Sequence, residues 1–236
     1  MKLPKVFEDR NGLFPQHKGK PKASYSQVTS YRDEKYRPDY YVQYFFGFQV
    51  EGNEFSLFGS NVGNCIEKLA QGELEQGLLS DEDIEHIKNM VDFPPNCKYE
   101  DEMCIDFGDF VLESYADRCE YVGNVVNILD YKTGNITDKV EYYGNKDYGQ
   151  TVLYGRGKED EGFEVGYCGV HLLGRKGSSL SGTGNHKMRL SGEHAHVETP
   201  YSKARAKEVE KEIRTVVKQI STDYEIYLKF VAWWLD

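Results

Sequence analysis

The run Asn124-Val-Val-Asn-Ile-Leu-Asp-Tyr131 restricts the fold of this 236-residue chain more than any other. Its apolar members, Val125, Val126, Ile128 and Leu129, are mostly β-branched, and branching at Cβ favours a pleated strand over a helix. The run is too short for a stable helix, and Lys132-Thr133-Gly134 closes it with a turn sequence. It reads as a buried strand leading into a turn. Segments of helical period stand on both sides of it, so the chain is expected to be α/β. The expected architecture is a mixed central sheet of four or five strands flanked by helices.

The neighbouring segments fill in that layout. Residues 8–24 are polar and contain Pro, Gly and Lys. Residues 1–23 are therefore read as a flexible arm and 24–236 as a single domain. Ser24-Tyr25-Ser26 starts a Tyr-rich helical stretch to about Phe45, which Pro38 should divide. Phe55–Gln71 reads as a helix with Val62, Cys65, Ile66 and Leu69 inward. Ser80 and Asp83 suit the start of a short helix to about Val91, before Pro94-Pro95. Residues 102–116 alternate around a turn at Asp106-Phe107-Gly108-Asp109, as in a hairpin. A helix over Tyr148–Gly155 and a strand over 163–173 follow. A Gly/Ser-rich loop over 174–185 carries Arg175 and Lys176, and a strand covers 186–197. Thr199-Pro200 reads as a helix N-cap followed by Pro at the first helical position. That helix should reach Ile220, with a second over 222–235. Ala206, Val209, Ile213, Val216, Val217 and Ile220 make its apolar stripe; Lys203, Lys207, Lys211, Arg214 and Lys218 make a basic one.

Composition removes several classes. At 39% hydrophobic residues, the chain is too apolar for wholesale disorder. It holds no uncharged apolar run of membrane-spanning length, and its N-terminus has no apolar signal core. A cytoplasmic setting is expected. The net charge of −10 argues against a uniformly basic nucleic-acid binder. That charge is unevenly placed. Residues 66–130 hold 17 Asp and Glu against 4 Lys and Arg, whereas residues 171–220 hold 10 Lys and Arg against 5 Asp and Glu. An acidic centre beside a basic flank suits cation binding next to phosphate binding, although a solvated acidic face has the same composition. The five Cys are odd in number and form no Cys-x-x-Cys pair. This argues against a zinc ribbon or an iron–sulfur cluster and for free thiols. Cys65 and Cys119 read as core positions. Among the histidines, His171 lies on a strand, and His194 and His196 share one face of the next, with His186 just before it. No third ligand is evident beside that pair.

The chemistry concentrates at Asp117 and Asp130-Tyr131-Lys132-Thr133-Gly134. Alternation puts Asp130 and Lys132 on one strand face and Tyr131 on the other. A neighbouring strand carrying Asp117 would bring a second carboxylate alongside, and paired carboxylates suit Mg²⁺. The same residues would also serve as a surface ion pair beside a turn.

This arrangement resembles the PD-(D/E)XK nuclease superfamily, in its RecB-like exonuclease branch. There an Asp precedes a hydrophobic-Asp-Tyr-Lys-Thr-Gly strand end by about a dozen residues, and a Gln-x-x-x-Tyr helix follows, here Gln150 to Tyr154. The upstream pieces fall in the branch's order: Ser24-Tyr25-Ser26, the aromatic stretch Tyr40–Phe45, and Gly59 to Glu67. The branch's helix His falls on Gly63, and Glu67, one turn later, is the candidate replacement.

The resemblance implies a restriction-endonuclease-like core and a Mg²⁺- or Mn²⁺-dependent deoxyribonuclease acting on DNA ends, in recombination, repair or phage DNA metabolism. It implies Glu67, Asp117, Asp130 and the Tyr131 backbone carbonyl as metal ligands. Lys132 would position or activate water. Gln150 and Tyr154 would support the site or touch DNA. Arg175, Lys176, Lys203, Lys207, Lys211 and Arg214 are candidate phosphate contacts. DNA is the implied partner, with a recombinase or single-strand annealing protein as a second, in a bacterial or phage-infected cytoplasm, and with oligomers known among relatives. A catalytically silent DNA-binding scaffold on the same fold is the alternative.

Overall fold

The computed structural model describes residues 16–48, 53–73, 79–145, 148–177 and 188–235. Backbone contacts divide the chain into two compact units: Met1–Glu51 with Cys104–Ser114 and Lys207–Asp236, and Gly52–Met103 with Tyr115–Ala206. The architecture is α/β, with a mixed sheet flanked by helices. Seven strands pair among the described residues, more than the four or five expected.

In the first unit, β1 (Gln16–His17) and β2 (Lys20–Ser24) form an antiparallel pair, and β2 runs parallel to the start of β4 (Val111–Val122). The end of the expected arm is thus drawn into strands. Ser24 caps α1 (Tyr25–Arg32): its hydroxyl accepts from Gln27 N–H while the Gln27 side chain accepts from Ser24 N–H. Pro38 sits in the first turn of α2 (Arg37–Tyr40), which runs into a π-helical turn over Tyr41–Phe45. The expected division at Pro38 therefore appears as a new helix start, where a missing N–H costs nothing. The hydroxyls of Tyr31 and Tyr41 both donate to Asp223. Asp223 lies on α7 (Lys203–Leu235), whose apolar stripe from Val209 to Ile220 is buried as the spacing demands.

Two expectations about α7 fail for local reasons. Thr199 is not its N-cap: Thr199 N–H donates to Cys168 O, and its hydroxyl meets that of Thr151 at 2.8 Å. With Thr199 spent on the sheet, the cap passes to Ser202, whose Oγ accepts from Arg205 N–H. Nor does the helix break near residue 221. Ser221 and Thr222 return their hydroxyls to carbonyls one turn back and are accommodated within the helix, which continues through them.

In the second unit, α3 (Glu54–Ala70) and α4 (Asp81–Met90) follow the expected bounds closely. β3 (Cys97–Asp106) begins earlier than the alternation suggested and turns back into β4. β4 pairs antiparallel with β5 (Val125–Gly134), β5 runs parallel to β6 (Glu164–Lys176), and β6 pairs antiparallel with β7 (Arg189–Glu198). A helix absent from the sequence reading, α5 (Ile136–Asn145), follows β5, and α6 (Gly149–Asp160) precedes β6. The signal for α5 was present: Asn135 Oδ1 accepts from Asp138 N–H, an Asn N-cap directly after Gly134. Most of the Gly/Ser loop, with His186, lies outside the described residues.

The sheet of this unit is covered on both faces. Phe58, Val62, Ile66, Ile84 and Ile87 of α3 and α4 pack with Tyr131, Leu173 and Leu190 on one. Tyr143 of α5 packs with Val170, Leu172 and Val197 on the other, and Tyr154 of α6 packs with Ala116, Cys119, Ile128 and Cys168. Burial on both sides explains why the middle of β6, from Val170 to Leu173, is buried at every residue rather than at alternate ones. At the far end of α6, Lys158 is 1% exposed and bonds Asp101 at 2.9 Å and Glu161 at 3.0 Å, a satisfied buried cation.

Candidate functional site

The register of β4 on β5 brings the two aspartates together. The last paired residues are Arg118 and Leu129, and one step further Asp117 comes opposite Asp130. Residues directly opposite share a face, and two like charges there are destabilising. Pairing stops at this point, and Asp117 Oδ2 takes the place of a strand partner by accepting from Tyr131 N–H at 2.6 Å. In an extended strand, one residue's N–H and C=O point to the same edge, so the Tyr131 carbonyl also faces the Asp117 side.

Asp130 is fully buried. Its Oδ2 pairs with the Lys132 ammonium and accepts from the Tyr148 hydroxyl at 3.2 Å. Its Oδ1 is buried and has no hydrogen-bond partner. Burial first, and then the Asp130 charge, push Asp117 up to about 8, against the opposing pull of Lys132 and the Tyr131 N–H. Burial works against the Lys132 ammonium, but Asp130 and Asp117 outweigh it and raise its pKa above the ordinary lysine value.

Gln150 and Tyr154 meet as their spacing requires, Gln150 Nε2 donating to Tyr154 Oη. The sequence reading missed the residue that links them to the acids. Tyr148 Oη reaches Gln150 Oε1 at 2.5 Å as well as Asp130, giving a chain from Asp130 through Tyr148 and Gln150 to Tyr154. Tyr154 is buried, and burial with the charges of Asp130 and Asp117 raises its pKa well above the usual phenol value, so it remains a neutral donor or acceptor.

Glu67 is half-buried on α3 and accepts from Gln71 Nε2 at 3.0 Å. Glu100 was also missed. It stands on β3 with φ +47, a left-handed conformation that a non-glycine residue adopts at a cost. Glu100 is exposed, but partial desolvation and then the charges of Glu67 and Asp130 raise its carboxyl pKa, which makes it an electrostatic neighbour of the pair. Only the acidic run Glu100-Asp101-Glu102 hinted at it. Glu67, Asp117 and Asp130 are not among the three-residue groups whose ligand atoms all lie within 4.8 Å of one another. Around Gly63, where the resemblance expects His, an added Cβ would meet nothing within 4 Å.

The basic candidates are dispersed. Arg175 and Lys176 end β6 rather than riding a loop. The Arg175 guanidinium lies 4.3 Å from the Phe55 ring centre, and Lys176 is 3.9 Å from Glu82. Lys203 approaches Glu159 at 3.6 Å. On the α7 segment of the first unit, Arg214 pairs with Asp109 at 2.9 Å, while Lys207 and Lys211 are exposed. No helix among the described residues is long and apolar enough to cross a membrane. No protein-family model and no curated protein matches the chain.

Proposed function

We propose that this chain is a metal-dependent nuclease that hydrolyses DNA phosphodiesters at DNA ends, in the cytoplasm of a bacterial or phage-infected cell. One observation carries the reading: Asp117 lies opposite Asp130 where β4 and β5 part, and Asp130 Oδ1 is buried without a partner. A buried carboxylate oxygen with no donor suits a hard cation. Mg²⁺ or Mn²⁺ would be held by Asp117, Asp130 and the Tyr131 carbonyl, with Glu67 and Glu100 at the rim. Such an ion polarises a phosphoryl oxygen and lowers the pKa of bound water.

The chain's own residues define the remaining roles. Lys132 keeps its proton at Nζ because two carboxylates face it, so it acts on the phosphate as a fixed positive charge rather than as a base. Tyr148 orients Asp130, and Gln150 and Tyr154 hold Tyr148 in turn.

The test is digestion of end-labelled linear DNA and closed circular DNA with Mg²⁺ or Mn²⁺, wild type beside Lys132→Ala. Loss of linear DNA alone, abolished by the substitution, is the expected result. Cleavage of circles would replace end-directed action with an endonuclease. Absence of metal-dependent cleavage of either DNA by the wild type would overturn the proposal in favour of a silent DNA-binding scaffold or an RNA substrate.

A further inference from the structure

A second donor cluster lies on the opposite face of the same sheet. His171 on β6 is paired in register with His196 on β7, and Leu173 with His194. Residues two apart on a strand share a face, so all three imidazoles project to one side. That side is the one of Tyr131 and Leu173, against α3 and α4, whereas Asp130 and its β6 neighbour Val170 point the other way. The cluster therefore shares no side chain with the carboxylate pair.

Its geometry is that of a ligand set. One nitrogen from each ring lies within 4.8 Å of the other two. His171 Nε2 is 3.1 Å from His194 Nδ1, and the His171 and His196 rings stack at 3.9 Å. A tetrahedral zinc ion with Zn–N bonds of about 2.0–2.1 Å sets its nitrogens about 3.3 Å apart. His171 is 1% exposed, so its ring is held almost wholly out of water beside the other two. Burial first, then the other two rings and Arg118, lower its pKa to about 3, so the ring stays neutral and keeps a lone pair. Arg118 is the cation facing the cluster and would oppose metal binding; Glu120 pairs with it at 3.4 Å, and the Asp92 carboxylate acts on His196 in the opposite sense.

We infer that His171, His194 and His196 form a three-histidine site for a borderline transition-metal ion, Zn²⁺ by preference. Imidazole donors select such ions over Mg²⁺, which takes oxygen ligands. With His194 and His196 exposed, the fourth position opens to solvent and would admit water or an anionic ligand.

The test titrates Co²⁺, then Zn²⁺, into the chelator-treated full-length protein, reading Co²⁺ visible absorption and calorimetric stoichiometry. The variants are His196→Gln and His194→Gln, both at exposed positions where misfolding is not expected, with Asp130→Asn as the control for the other face. A further group, His17, Cys104 and Glu113, has ligand atoms equally close, so every protein is compared in a His17→Gln background. With excess Mg²⁺ present for the carboxylate pair, one equivalent of Co²⁺ with a tetrahedral absorption band, displaced by Zn²⁺, is expected. Each His→Gln change should weaken it at least about 10-fold, while Asp130→Asn leaves it unchanged. Absence of binding, or binding indifferent to both His variants, would overturn the inference.

Discussion

The two faces of the β5–β6 pair bury polar groups by different means. On the face of Asp117 and Asp130, the donors are carboxyl oxygens, Asp117 keeps its proton well above the usual carboxylate range, and Lys132 lies against Asp130 as a counter-ion. On the face of His171, the donors are nitrogens, burial holds the His171 ring neutral, and the Arg118 cation acts on it as well. The first face holds a proton on Asp117 that a hard cation would displace. The second offers lone pairs that need no charge relief and suit a softer ion. Neighbouring strands of one sheet thus supply two unlike environments, because alternation sends Asp130 to one face and His171 to the other.

Separating the two faces chemically is the sharpest way to break the comparison. Asp130→Asn should reduce metal-dependent DNA cleavage on the order of 10³-fold, as expected when a central electrostatic group is removed. Co²⁺ binding by the histidines should not move. Parallel loss of both, measured on one preparation, would mean that the faces are not independent.

The second prediction concerns stability against pH, measured by urea denaturation in a chelator. The Asp117 pKa is raised to about 8, so between about pH 4 and pH 8 the native state holds a proton that the unfolded chain has released. Stability should therefore fall as pH rises through that window. Asp117→Asn, which keeps an acceptor for the Tyr131 N–H, should flatten the fall and be about 1–3 kcal/mol more stable than wild type at pH 8. A wild-type profile that is flat or rises from pH 5 to pH 8 would contradict this.

The smallest effect concerns α3. Gly63 sits inside the helix with open space around the position of a Cβ, so Gly63→Ala should raise stability by about 0.5–1 kcal/mol. A loss of stability in thermal unfolding would show that the glycine is needed for close packing.

Legibility differed between the faces for the same reason that their chemistry does. The carboxylate face was readable because Asp130, Lys132 and the strand bearing them lie in one short run, and because Gln150 and Tyr154 are one helical turn apart. Tyr148 and Glu100 escaped notice: one stands just before a helix, the other owes its place to a left-handed residue in a strand, and neither leaves a periodic trace. The histidines were visible individually, and His194 and His196 were placed on one face. Nothing in the chain states that His171 lies opposite His196.

By itself, the sequence determined several of the elements and their inward sides. The β-branched run of β5, the capped starts of α1 and α4, and the apolar stripe of α7 all follow from local propensity and period. Tertiary structure decided what pairing and competition decide. The Thr199 cap was lost to a sheet hydrogen bond, and the β6–β7 register collected three imidazoles from two strands. Local preferences act over a few residues and can be read along the chain. Register and competing hydrogen bonds depend on partners more than twenty residues away, so they exist only once the chain has folded.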